Sequence, residues 1–174
     1  MKILFAPDTG KLLGAQAVGR DGVDKRIDVL ATALKAGMTV HDLADLELAY
    51  APPFGSAKDP VNLAGMAAQN VLAGDVALAQ WYELASFDPK TTPVLDVRTD
   101  AERRAGFIPG SLHIPLHQLR QRIGELPRDR EIVVSCQSGQ RSYFASRLLS
   151  QHGFRVRNLT GSYRTWKTAT SCTA

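Results

Sequence analysis

The hydrophobic positions of this chain fall into two regimes. In the first, Lys2–Phe5 and Leu12–Val18 flank the turn-forming run Pro7-Asp8-Thr9-Gly10, a pattern that predicts a β-hairpin. Val23, Ile27, Leu30, Ala31 and Leu34 then recur at helical spacing, and Gly37 stops that helix. Thr39 followed three positions later by Asp42 has the form of a capping box and predicts a second helix through Leu48. Tyr50-Ala51-Pro52-Pro53-Phe54-Gly55 is too rich in proline and glycine for either regular structure. Two strands alone cannot bury both faces and both edges of a hairpin, so this part calls for further strands or a partner.

Residues 73–92 join the two regimes, with a short helix at Trp81-Tyr82-Glu83-Leu84 and a turn at Asp88-Pro89-Lys90-Thr91-Thr92-Pro93. From Pro93 onward short apolar runs alternate with helical periodicity. Val94–Val97, Leu112–Ile114, Ile132–Cys136 and Val156–Leu159 are the strand candidates, and Asp100–Ala105, Leu116–Ile123 and Arg141–His152 the helices. That alternation predicts an α/β domain, a parallel sheet flanked by helices, with its site at the carboxyl ends of the strands.

Composition narrows the function. The 174 residues are 44% hydrophobic, enough for one ordinary domain or two small ones, and contain no run of membrane-spanning length. The opening residues are too soon polar for a signal peptide, and the two cysteines, Cys136 and Cys172, form no metal-ligand spacing. A cytoplasmic, disulfide-free protein without a metal is expected. Residues 1–75 carry seven Lys/Arg against nine Asp/Glu, a net of −2, whereas residues 76–174 carry fourteen against eight, a net of +6. The basic half suits anionic substrates. Its cations are scattered and not interleaved with aromatics, which argues against nucleic acid.

The chemistry concentrates in Cys136-Gln137-Ser138-Gly139-Gln140-Arg141-Ser142. A cysteine between a strand end and a helix start meets unpaired backbone N–H groups and the positive end of the helix dipole, so its thiol ionises readily. Gly139 lets the loop curl until several N–H groups face one sulfur, and Arg141 adds the loop's only formal charge. No histidine base is required, and His41, His113, His117 and His152 are read as surface or capping residues. Asp96 stands at a strand end, where it serves either the architecture or the edge of the site, and Arg98 is expected to pair with Glu102. Trp81 and Trp166 are read as core aromatics, and Cys172 as an incidental thiol in a mobile polar tail over Thr168–Ala174.

Leu95-Asp96-Val97-Arg98 with Glu102, Gly106-Phe107-Ile108-Pro109-Gly110-Ser111, Ile114-Pro115-Leu116, the Cys136–Ser142 loop, Gly153-Phe154, and Leu159-Thr160-Gly161-Ser162-Tyr163 with Trp166 follow in the order of a single-domain rhodanese. The resemblance covers about residues 76–168. It implies that Cys136 carries sulfane sulfur as a persulfide, cradled by Gln137, Ser138, Gly139, Gln140, Arg141 and Ser142. Phe107 departs from the family, which often has histidine there. The nearly neutral loop departs too, and favours thiol-bound or polymeric sulfur donors over thiosulfate. A cysteine phosphatase would need its arginine six positions after the cysteine, to grip two phosphoryl oxygens. Here Arg141 is fifth and Ser142 sixth, which makes a bowl sized for one sulfur.

The first regime resembles the C-terminal dimerisation domain of pyridine nucleotide-disulfide oxidoreductases, in the branch of coenzyme A-disulfide reductases and NADH oxidases. Leu13–Gly19, Asp24–Asp28, Leu46–Phe54, Asp59–Asn62 and Ala64-Gly65 carry that likeness over roughly residues 2–72. By this resemblance Tyr50 matches a tyrosine that reaches a partner subunit's coenzyme A-disulfide site, and residues 1–72 imply a homodimer. No strand–GxGxxG–helix unit occurs, so FAD, NADH and coenzyme A are implied only for a full-length parent. The chain is expected to be the C-terminal piece of such a reductase, or the product of a truncated gene, without oxidoreductase activity of its own.

The organisation expected is therefore a partial α+β dimerisation domain over residues 1–72, a linker with a lead-in helix over 73–92, and a rhodanese-like core over 93–170. The function expected is sulfur transfer through Cys136 between small sulfur donors and thiol acceptors, with no membrane or nucleic-acid partner. The rival readings are a docking module with a vestigial loop, and a redox sensor in which Cys136 pairs with Cys172.

Overall fold

A computed structural model describes residues 1–88 and 90–172. The chain divides into two compact units, Met1–Asp75 and Val76–Ala174.

In the first unit, β1 (Lys2–Phe5) and β2 (Leu12–Gln16) pair antiparallel across the predicted turn, with an irregularity at Leu4/Phe5. Helix α1 (Val23–Lys35) ends before Gly37, whose φ of +71° is left-handed. Its inward stripe is rotated from the one expected. Leu30 and Ala33 are buried, whereas Ala31 and Leu34 face outward. Helix α2 (Val40–Asp45) begins at the predicted box, where Thr39 N–H donates to Asp42 Oδ2 over 2.7 Å and Asp42 N–H to Thr39 Oγ1 over 3.3 Å.

That helix stops three residues short of the expected Leu48, because a distant side chain takes over its last carbonyls. Asn62 Nδ2 donates to the oxygens of Leu43, Ala44 and Leu46 at 3.1, 3.4 and 2.8 Å. Asn62 belongs to α3 (Pro60–Leu72), a helix the pattern reading leaves out although Asp59 caps Val61 N–H and Pro60 occupies the first turn. Gly65 lets α3 lie directly on α2, since a Cβ there would stand 2.6 Å from Ala44 N. Leu12, Leu30, Ala33, Leu43 and Val61 form this unit's core.

The second unit is a five-stranded sheet, parallel throughout, in the order β3-β7-β6-β4-β5. The strands are β3 (Ala77–Ala79), β4 (Val94–Asp96), β5 (Leu112–His113), β6 (Ile132–Ser135) and β7 (Val156–Leu159). Strand β3 lies in the stretch read as a linker, where three residues are too few for a visible alternation. A 3-10 turn over Trp81–Ser86 replaces the short helix expected there. The turn at Asp88–Pro93 includes Pro89, which lies outside the described residues.

Helices α4 (Asp100–Arg104), α5 (Leu116–Arg122) and α6 (Gln140–Gln151) fall where expected to within a residue or two. Helix α7 (Ser162–Ser171) does not, since it occupies much of the polar tail. Thr173 and Ala174 of that tail lie outside the described residues. All four residues of β6 are buried because helices cover both faces of the sheet. Ile132 and Val134 pack with Leu119, Ala145 and Leu149 on one side, and Val133 packs with Leu159 and Tyr163 on the other. Trp166 is half-buried against that second face. Among the described residues, no helix is long and apolar enough to cross a membrane.

Candidate active site

Strand β6 is central in the sheet and ends at Ser135, so Cys136 emerges at the carboxyl edge, 1% exposed. Its main chain is fixed at both groups. Cys136 N–H donates to Ser162 Oγ over 3.1 Å, and Cys136 C=O accepts from Tyr163 N–H over 3.1 Å. Gln137 C=O likewise accepts from Arg164 N–H over 3.1 Å, so the first turn of α7 holds the start of the loop.

The loop then folds back over the sulfur. Gly139, at φ +121°, caps α6 and points its N–H at Cys136 Sγ over 3.1 Å. Ser142, fully buried in the first turn of α6, places Oγ 3.4 Å from Sγ. Burial pushes the thiol pKa up, but the Ser142 hydroxyl and the backbone N–H groups of Ser142, Gly139 and Ser138 together outweigh it, and the thiol lies below its ordinary value. The arrangement favours a thiolate aimed into a ring of hydrogen-bond donors. Such a sulfur is a nucleophile, and the same donors can hold a second anionic sulfur bonded to it. Gln137 is partly buried, while Ser138 and Gln140 are exposed at the rim.

Arg141 is not the free cation the loop sequence suggests. Its guanidinium grips Glu102 in two parallel bonds, Nη1 to Oε2 at 2.7 Å and Nη2 to Oε1 at 2.6 Å. Arg141 lowers the Glu102 pKa to about 2, aided by Thr99, whose N–H and hydroxyl each lie 3.0 Å from Oε2. The pair is thus ionised at any pH near neutral and nearly cancels the loop's charge.

The expected Arg98–Glu102 pair does not form, since Glu102 is taken. Arg98 turns inward instead, 1% exposed, and binds Asp96 with Nη2 at 2.8 Å and Nε at 3.0 Å. From there it spans the site's underside. Nη2 donates to Gly106 O over 2.8 Å, Nη1 to Gln137 Oε1 over 3.3 Å, and the guanidinium lies 4.1 Å from the centre of the Tyr163 ring. Asp96, 3% exposed, also meets Arg103 at 3.6 Å. Arg98 therefore meets the loop at Gln137 and α7 at Tyr163, and Asp96 is linked to both through Arg98. Phe107 is half-exposed beneath the Arg103 guanidinium, 4.4 Å from it.

Sequence reasoning missed Ser162 and Asn158. Asn158 Nδ2, on β7, donates to Gly139 O over 3.3 Å and so braces the turn of the loop. Both lie more than fifteen positions from the cysteine, and only the block Leu159–Tyr163 hinted at Ser162. Tyr50 is exposed in the irregular segment of the first unit. Cys172 is exposed at the C-terminal cap of α7, a ten-residue helix whose other end touches Cys136. Ten residues of helix span about 15 Å, far beyond the ~7 Å limit between disulfide-bonded Cα atoms, so a Cys136–Cys172 disulfide would require α7 to unwind. Each histidine has a local partner: His41 with Gln69, His113 with Arg98 O, His117 with Gln118, and His152 with Leu148 O.

Comparison with known proteins gives a match for each of the two units. Residues 78–169 match the rhodanese-like domain family, and residues 1–60 match the dimerisation domain of pyridine nucleotide-disulphide oxidoreductases. A sulfurtransferase of Allochromatium vinosum is 42% identical over 80 residues, 45% of this chain and 75% of that protein. Coenzyme A disulfide reductase of Staphylococcus epidermidis is 49% identical over 69 residues, 40% of this chain and 16% of that protein. Among solved structures, reduced Bacillus anthracis CoADR-RHD superposes with a TM-score of 0.92 at 49% identity, over 95% of this chain and 30% of that one. An NAD-dependent persulfide reductase from A. fulgidus gives 0.82 at 42% identity, over 94% of this chain and 29% of that one. The chain therefore spans under a third of the reductases it matches.

Proposed function

This chain belongs to the rhodanese-like domain family through residues 78–169, and from that membership we propose that it is a sulfurtransferase with Cys136 as the sulfur carrier. The observation that supports this most directly is the sulfur held 3.1 Å from Gly139 N–H and 3.4 Å from the Ser142 hydroxyl, at the end of the central strand. The Cys136 thiolate attacks the terminal sulfur of a donor R–S–SH. The new S–S bond forms as the old one breaks, and R–S⁻ leaves with the electron pair. The loop N–H groups and Ser142 then hold the Cys136 persulfide. An acceptor thiolate attacks its outer sulfur, and Cys136 is released as thiolate for the next cycle. No net oxidation or reduction occurs.

The Arg141–Glu102 pair leaves little free positive charge at the loop, which favours low-molecular-weight persulfides, coenzyme A persulfide and polysulfide over thiosulfate. We assign residues 1–72 to subunit pairing, as the match to a dimerisation domain suggests. In a full-length parent, FAD and NADH domains would reduce the sulfur species that Cys136 delivers, and Tyr50 would face a partner's coenzyme A-disulfide site. No step proposed for this chain runs through those groups.

The test is intact mass after incubation with polysulfide, thiosulfate or coenzyme A persulfide, beside Cys136→Ser. Gain of one sulfur by the parent protein only, reversed by cyanide or a thiol, is the expected result. If neither protein gains sulfur from any donor, the loop is no carrier, and a docking role for the chain takes its place.

A further inference from the structure

Ser162 is the only non-glycine residue with positive φ among the described residues, at +51°. It directly follows Gly161, which is also left-handed at +66°. Glycine adopts this conformation without penalty, and other L-residues adopt it only where surrounding structure compels them. Ser162 is also wholly buried. A strained serine where glycine would fit directs attention to its hydroxyl.

That hydroxyl sits between the cysteine and its loop. Oγ accepts the Cys136 N–H at 3.1 Å and lies 3.1 Å from Leu159 O, 3.2 Å from Ser142 Oγ and 3.8 Å from Cys136 Sγ. Its single proton can thus go to a carbonyl, to Ser142 or to sulfur. Ser142 has a similar choice, between Gly139 O at 3.0 Å and Sγ at 3.4 Å. Gly139 O also receives Tyr143 N–H at 3.0 Å and Asn158 Nδ2 at 3.3 Å, so it stays satisfied when Ser142 turns away.

We propose that Ser162 is a positioning residue of the sulfur site, which fixes the Cys136 backbone and joins Ser142 in a pair of hydroxyls that turn toward sulfur when it is anionic. With a neutral thiol the two protons rest on Leu159 O and Gly139 O. With a thiolate or persulfide they rotate inward, and no bond is made or broken. This deepens the sulfur-carrier reading and rests on it for the persulfide state, while the thiolate state can be tested without it.

The experiment uses the full chain carrying Cys172→Ser, so that Cys136 is the sole thiol. The rate of iodoacetamide alkylation is followed against pH for this protein and for Ser162→Gly, Ser162→Ala, Ser142→Ala and the double variant Ser142→Ala/Ser162→Gly, with thermal melts of each. Ser162→Gly relieves the strained φ and removes the hydroxyl. Its alkylation midpoint is expected to move to higher pH, with the rate at pH 7 down about three- to tenfold, the range for loss of one ordinary hydrogen bond, as befits a contact as long as 3.8 Å. Ser162→Ala should show the same shift. The double variant should fall short of the summed single effects, because the two hydroxyls share one sulfur.

A Ser162→Gly or Ser162→Ala protein that melts like the parent and alkylates with an unshifted midpoint would overturn the proposal. So would additive effects in the double variant. Sulfur loading measured on the same proteins separates the two ideas. If the parent accepts sulfur from no donor, the carrier reading falls, and the alkylation midpoints still decide what Ser162 does.

Discussion

Arg141 and Glu102, 39 positions apart, lock together through two hydrogen bonds of 2.7 and 2.6 Å at the mouth of the Cys136 loop. The carboxylate comes from the first turn of α4, where Thr99 holds it in a capping box. One residue thus starts a helix and neutralises the loop's only cation.

Glu102→Gln should free the Arg141 charge while keeping the capping function, since glutamine serves at that position as well. Sulfur loading from the dianion thiosulfate, relative to a singly charged alkyl persulfide, is expected to rise by about fivefold at low salt, the factor for ~1 kcal/mol per unit of charge difference at 4 Å in water. Added salt should erase the gain. Loading rates with both donors at two ionic strengths check this, and an unchanged ratio would mean that the pair does not set donor choice.

Asp96→Asn leaves the buried Arg98 guanidinium without its carboxylate. Breaking a buried pair from one side costs about 3–5 kcal/mol. The calorimetric transition of the second unit should fall by more than about 10 °C. A shift of only a few degrees would show that Gly106 O, Gln137 and the Tyr163 ring suffice to hold Arg98.

Because the Cys136 thiol is held below its ordinary value, its reactivity should rise with pH and level off before a free thiol's would. The stability sign follows from the same shift. A depressed folded-state pKa makes stability grow as pH climbs from the folded value toward the unfolded one, and constant above it. Urea unfolding across that window should show the rise in the parent and lose it in Cys136→Ser. Glu102 titrates near 2, so its contribution is present above its unfolded value and is lost only as pH falls toward 2.

Gly65→Ala tests the first unit alone. The added methyl meets Ala44 N at 2.6 Å and Val40 O at 2.8 Å, both backbone atoms that cannot rotate away. A loss of about 1–3 kcal/mol is expected in that unit's unfolding. Sulfur loading on Cys136 should keep the parent's rate.

The parts of this protein legible in its sequence are those written locally. The strand–loop–helix around Cys136 follows from an apolar run, a glycine and a helical stripe within twenty residues. The Thr39–Asp42 box is local in the same way. Where distant side chains decide, the reading fails. Asn62 ends α2 from the next helix, Arg98 abandons Glu102 for Asp96, and Ser162 reaches the cysteine from 26 positions away. Helix α3 was legible from Asp59-Pro60, whereas β3, only three residues long, offers no periodicity to read.

The double tether of Cys136 to α7 constrains the sulfur transfer proposed for it. A residue pinned at both its N–H and its C=O cannot serve as a swinging arm, and an added sulfur extends it by only about 2 Å. Under the proposed mechanism the outer sulfur would therefore stay inside the bowl, and delivery would fall to the visitor. An acceptor would have to bring a slender thiol down to it, and a thiol crowded by branches, or one recessed in another protein's surface, would be turned away by shape before chemistry begins.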